Sequence, residues 1–434
     1  MTECNQYELQ EIMGTYYPHF LEMYINTNKL VELPKLSRSE LGTFFHEWIH
    51  FIQDLTTAYG CYSAYVYFEL FLSIGQKAVS QDKEIEDPIQ IDNQCNVLSN
   101  LYLQHVGWGT SPQEAFSAIK CCINKKVKTR SDLVTDERIK ELPRSFITTD
   151  ACEEFEFGAY HIMESMAYLC QCELFPEATF GHPIYPYHTA SMIAELYSPE
   201  FAKNRQNLIA LCDVSLMSSL PGPQFVSYLA RLKNGSLPLP SKPEDVYDYF
   251  LNNHNYLSSY EDICEKTRSH FKGVLRDPKA FANYRAWIDN AYDTALDLRS
   301  NHPYFIIELL RDGGSLLENP RFSRLFQAFG TPLIRNKSGE YNKYPLNSSS
   351  KEWDVEFMQP IKQIGNMLVK GKCSCDLKQW CIDSARELKR IHASTDLICI
   401  VDKRCDENPS LRSLDKVRCP LGFVWYALGL PLMK

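Results

Sequence analysis

The sequence predicts an α+β fold that is predominantly helical, and three observations carry that expectation. Leu41, Phe44, Phe45, Trp48, Ile52 and Leu55 recur at spacings of three and four, which draws one apolar stripe along a helix. Apolar helical patterning returns at 62–74, 101–108, 155–170 and 208–217, and over most of the stretch from 244 to about 330. Only 15–26 and 331–344 read as strand and turn.

Taken in chain order, residues 15–26 form a short strand entering a turn at Asn26-Thr27-Asn28. The next helix opens on Ser37-Arg38-Ser39-Glu40, a capping box, and Tyr59-Gly60 supplies its stop. Inside it lies His46-Glu47-x-x-His50. Residues four apart project from successive turns, so two imidazole nitrogens can converge on one zinc ion at about 2.0–2.1 Å. Glu47 is rotated off that row and reaches an ion-bound water as general base without displacing it. Asp54 continues the row and is placed to accept a hydrogen bond from the second nitrogen of His50, fixing its tautomer.

This motif resembles that of the zincin metallopeptidases, over a short stretch of the chain. The resemblance implies a zincin-like catalytic domain in which His46 and His50 bind Zn²⁺ and Glu47 is the general base. It also implies that the strand ahead of the motif is an edge on which extended substrate lies. The metzincin pattern wants glycine three positions after the second histidine and a further histidine beyond, where this chain has Gln53 and Thr56. The aspzincin glycine-threonine-aspartate signature is missing as well, which leaves the gluzincin type, completed by a glutamate from a separate helix.

Two glutamates compete for that position. Glu69, on the helix running through Tyr62, Tyr65, Val66, Phe68, Leu70, Phe71 and Ile74, has the short spacing of small gluzincins. Glu164 lies in the apolar stretch of Phe155, Ala159, Ile162, Met166 and Leu169, where an ionised carboxylate is costly unless it is paired or ligates a metal. That cost favours Glu164. Gly158 and Ala167 are small enough for another helix to approach, and His161, one turn away, can share the face.

Between these helices, residues 81–95 are polar and acidic and read as a surface loop, and Ser111-Pro112-Gln113-Glu114 reads as a helix start. The basic run from Lys125 to Arg130 is a solvated face. The loop 180–188 holds Tyr185, Tyr187 and His188, candidate donors toward a developing oxyanion. Asp213 is a possible partner behind the site. Asn234 to Pro243 is the clearest linker, which divides the chain into a catalytic region, 1–235, and a helical C-terminal region, 244–434. Gly313-Gly314 is a break, and 347–350 a loop.

Composition narrows the function classes. Hydrophobic residues make up 44% of 434, ample for a packed core. A net charge of −9 with no polybasic tract argues against nucleic acid as partner. No apolar run reaches membrane-spanning length and the N-terminus lacks a basic and apolar leader, so a cytoplasmic protein without membrane partners is expected. The 16 cysteines then read as free thiols, and the C-terminal cluster Cys373, Cys375, Cys381, Cys405 and Cys419 contains no Cys-x-x-Cys clamp. The expected activity is that of a zinc metallopeptidase acting on a protein or peptide. Two rivals stand beside it. Glu47-x-x-His50 also fits a helical di-iron oxidoreductase, although the downstream element reads His161-x-x-Glu164, reversed. The third is a binding protein that keeps a zinc site without turnover.

Overall fold

The structure, a computed structural model, describes residues 13–18, 21–81, 96–130, 134, 140–179, 182–253, 256–311, 313–342, 358–371, 373–382, 401–415 and 419–430. Its packing centres on the motif helix α1, Arg38–Thr56. The capping box forms as expected: the Ser37 hydroxyl accepts from the Glu40 backbone N–H at 3.3 Å, and the Glu40 carboxylate accepts from the Ser37 N–H at 2.8 Å. From Leu41 to Thr56 every residue except Thr43 is buried. The helix is therefore enclosed on all sides, and its polar row has to find partners inside the protein. It ends earlier than Tyr59-Gly60: Thr57 is the C-cap, and α2, Ala58–Gln81, starts at once with Gly60 in its first turn.

The segment read as one strand is a hairpin. β1, Gly14–Tyr17, pairs antiparallel with β2, Glu22–Ile25. After α3, Asn96–Trp108, the expected helix at 111–114 does not form. Its donors go elsewhere: the N–H groups of Gln113 and Glu114 reach the Glu153 carboxylate at 2.5 and 2.9 Å, and that of Ser117 reaches Asp150 at 3.1 Å. The chain continues into an antiparallel sheet of β3, Ile119–Lys128, β4, Glu141–Thr149, and β5, Glu154–Phe157. The basic run lies largely on β3, where Lys125 meets Glu154 at 2.8 Å in solvent.

Phe155 and Phe157 thus belong to a strand, and the Glu164 helix α4 starts and ends four residues later than expected, Ala159–Leu174. Gly158 makes the corner between them. A Cβ there would lie 2.5 Å from the Gly107 carbonyl oxygen and from Trp108 backbone atoms, so the close approach expected at this glycine is made by the end of α3. Next come α5, Thr189–Tyr197, α6, Pro199–Ala202, α7, Arg205–Ser215, and α8, Pro221–Lys233. Beyond the 234–242 connection stand α9, Pro243–Asn253, α10, Tyr256–Val274, α11, Ala282–Asn301, α12, Phe305–Arg311, and α13, Pro320–Phe329. Gly313 and Gly314, both at positive φ, follow α12.

Residues on both sides of that connection share one core. β6, Leu333–Asn336, pairs parallel with β2 from Glu22↔Leu333 to Ile25↔Asn336 and carries β7, Tyr341–Asn342, giving the order β1-β2-β6-β7. The Tyr260 hydroxyl donates to the Leu55 carbonyl at 2.8 Å, and the Trp48 indole donates to the Gly330 carbonyl at 3.0 Å. Asp213, expected near the site, instead holds Arg299 through two contacts of 2.8 Å, and Arg299 in turn donates to the Thr56 carbonyl at 2.6 Å. The late helices therefore brace the C-terminal end of the motif helix. α14, Met358–Lys370, packs on a last helix, Pro420–Ala427.

The described cysteines are free thiols, and among the described residues the C-terminal cluster does not gather into a metal-sized group. Among the same residues no helix is long and apolar enough to cross a membrane. Of the loop expected at 81–95, Gln81 ends α2 and the rest lies outside the described residues, as do the loop expected at 347–350 and Phe180 and Gly181 of the aromatic loop.

Candidate metal centre

α1 and α4 pack against each other, and the contact brings His46, His50 and Glu164 into one group that could hold a metal ion. Nε2 of His46 lies 3.2 Å from Nε2 of His50 and 3.3 Å from Oε2 of Glu164, and the third edge, His50 to Glu164, is 3.5 Å. Two donor atoms bound tetrahedrally at about 2.05 Å from a common ion are about 3.3 Å apart. All three edges match that spacing, so the ligand set fits a small divalent ion without rearrangement. Burial suits it too: both histidines are 6% exposed, whereas 21% of the Glu164 side chain opens to the cleft.

The other candidate ligand is elsewhere. Glu69 accepts from the Asn100 amide at 2.7 Å, on the side of α2 that faces α3. His161 is also outside the group. It is fully buried, its Nδ1 accepts from the Gly158 N–H at 3.2 Å, and its ring lies among Phe155, Phe157 and Tyr185.

The orienting partner of His50 differs from expectation. Asp54 does not make that bond; Gln53 does, with Oε1 2.8 Å from Nδ1 of His50. The physical reason is reach. The longer Gln53 side chain folds back to His50 and still donates to the Met163 carbonyl of α4 at 3.2 Å. The shorter Asp54 accepts the Tyr16 hydroxyl of β1 at 2.9 Å. An Nδ1–H held on an amide oxygen leaves the Nε2 lone pair free for an ion. His46 Nδ1 is buried and has no such partner among the described residues.

Charge is redistributed among these groups as they stand. Burial alone would raise Glu164 and lower His50, but each outweighs that effect in the other: Glu164 is held well below the usual carboxylate range and His50 is raised to about 9. Burial lowers His46. Glu47, 6% exposed, is pushed up to about 8 by burial, less by the opposing charge of His50, and it accepts from the Tyr16 backbone N–H. A dication among the three ligands would act on Glu47 as a nearby positive charge and would draw that value down again.

These groups line a cleft of about 630 Å³ together with Gly14, Thr15 and Tyr16 of β1 and with Asp54, Tyr59, Trp108 and Tyr160. Of the three donors expected from the aromatic loop, Tyr187 alone lines it, with its ring edge-on to His46 at 5.7 Å between centroids. The Tyr185 hydroxyl donates to Ser111 at 2.9 Å while its ring packs on Phe155 and His161. His188 packs against Tyr168, ring centroids 4.7 Å apart and tilted by 59°, and lines a neighbouring depression on the surface. Sequence reasoning missed Gln53 and Tyr16. An amide three residues after a histidine on one helix was a readable signal for the first; Tyr16 comes from a distant strand and carried none.

No protein-family model, no curated protein and no solved structure matches the chain.

Proposed function

We propose that the chain is a zinc-dependent metallohydrolase, a peptidase that uses Glu47 as general base. The observation that carries this reading is the meeting, in one cleft, of a three-ligand group at tetrahedral spacing and a buried carboxylate one residue off the ligand row. Zn²⁺ held by His46, His50 and Glu164 would lower the pKa of its water and polarise a substrate carbonyl. Glu47 would act as general base toward the attacking water and would return the proton to the departing amine. Tyr187, whose hydroxyl is kept protonated by burial and by the carboxylates of Glu164 and Glu47, supplies a donor toward the developing oxyanion. Tyr185 and His188, tied elsewhere, leave that role to it.

A peptide is the favoured substrate because among the described residues β1 is an edge of its sheet and its Gly14, Thr15 and Tyr16 line the cleft, so extended backbone can be added there as a strand. The di-iron rival needs ligands for a second ion, and among the described residues the ligand group has three members. Metal analysis with a visible spectrum tests the reading. About one zinc per chain and no absorption band is expected; two irons with a charge-transfer band overturns it.

A further inference from the structure

Asp54 is the carboxylate of the cleft that neither the ligand group nor the proton acceptor uses. It is 7% exposed, and the Tyr16 hydroxyl at 2.9 Å fixes one of its oxygens. Standing four residues beyond His50 on α1, it lies about 6 Å further along the helix axis. That is roughly the span of two residues of extended substrate at about 3.4 Å each. The walls around it are aromatic: Tyr59 and Trp108 stack at 6.4 Å with 21° between planes, and Trp108 meets Tyr160 at 5.3 Å. Among the described residues no lysine or arginine lines the cleft. A carboxylate sheltered from water in a cleft lined by tyrosine and tryptophan attracts a cation by charge, and ring quadrupoles add to that attraction.

We propose that the end of the cleft beyond His50 is a cation subsite, in which Asp54 and the aromatic wall of Tyr59, Trp108 and Tyr160 receive an ammonium or guanidinium group of the substrate. The inference rests on the peptidase reading and gives its substrate class: a peptide with a positive charge within two residues of the bond to be cleaved. That charge comes either from a lysine or arginine side chain or from a free N-terminal amine.

Titration calorimetry on the full-length protein separates these cases, and its readout is binding rather than turnover. Three probes are compared: N-acetylarginine methylamide, alanine methylamide with its free amine, and neutral N-acetylnorleucine methylamide. At least one cationic probe binds roughly tenfold tighter than the neutral one. The arginine derivative doing so assigns the subsite to a side chain; the alanine derivative doing so assigns it to the N-terminus. Asp54→Asn abolishes the preference, and Tyr160→Leu, an independent change in the wall, weakens the cationic probe several-fold while sparing the neutral one. Equal binding of all three probes overturns the inference, as does a preference that survives in folded Asp54→Asn. A protein that shows the preference but hydrolyses no peptide refutes the peptidase reading and leaves the subsite standing.

Discussion

The amide of Gln53 joins the two helices of the candidate metal centre, with its oxygen 2.8 Å from Nδ1 of His50 on its own helix and its nitrogen donating to the Met163 carbonyl across the contact. The bond that orients the ligand is thus also a bond that sets the spacing between His50 and Glu164. Gln53→Ala should lower zinc affinity by roughly ten- to hundredfold, the usual cost of removing an outer partner of a ligating histidine. Competition against a chelator measures it, and an unchanged dissociation constant contradicts the role.

Glu164→Ala should lose zinc under mild chelation, because it removes one corner of the group, whereas Glu69→Ala should retain it. Metal content after dialysis decides. Loss in the Glu69 variant alone would move the ligand to α2.

Gly14 tests how closely β1 is seated on the motif helix. A Cβ at this position would lie 2.7 Å from Oε1 of Glu47 and 2.7 Å from Cγ2 of Thr43. Gly14→Ala therefore has to displace either the strand or the Glu47 carboxyl. Hydrolysis should fall at least about tenfold, since a misplacement of about 1 Å at a reacting group can cost a hundredfold. Metal content should stay unchanged, and wild-type turnover by the variant would show that the strand gives way freely.

The buried pair of Asp213 and Arg299, 0% and 1% exposed, ties α7 and α11 to the end of the motif helix at Thr56. Asp213→Ala leaves an arginine uncompensated in the core and should destabilise the protein by about 3–5 kcal/mol. Denaturant unfolding reads this directly. A loss below about 1 kcal/mol would place the charge in solvent, as for a surface pair.

His161 gives the fold a pH dependence. Burial lowers its pKa from 6.5 to about 3, so the unfolded chain takes up a proton there first as the pH falls. The stability held by neutral His161 is complete above 6.5 and is lost progressively towards 3. His161→Asn, whose carbonyl can still accept from the Gly158 N–H, lacks this titration. The wild type should lose stability relative to that variant across the interval, and parallel pH profiles would contradict it.

What could be read from the sequence follows the range of the interaction. The motif helix was legible because its cap, stripe and ligand spacing all lie within about five turns of one segment. Glu164 was legible for a chemical reason, a carboxylate in an apolar helix that needed a partner. The alternation Glu154-Phe155-Glu156-Phe157 carried the period of a strand, but adjoining α4 it read as that helix's first turn. β3 was hidden because its lysines face solvent and break the apolar pattern. The pairing of β2 with β6, the partner of Asp54 on β1 and the bracing of Thr56 by Arg299 join distant parts of the chain, and no local pattern encodes them.

The central claim is that Glu47 moves the proton of a zinc-bound water, and it is tested most directly by Glu47→Gln. Glutamine keeps the size of the side chain and its place off the ligand row but cannot accept the proton. The measurement is cleavage of a peptide library by wild type and variant, each loaded to the same zinc content and each folded. The wild type should cleave and the variant should not, with a loss of at least about a hundredfold. Equal cleavage by a homogeneous, zinc-loaded Glu47→Gln protein would contradict the account.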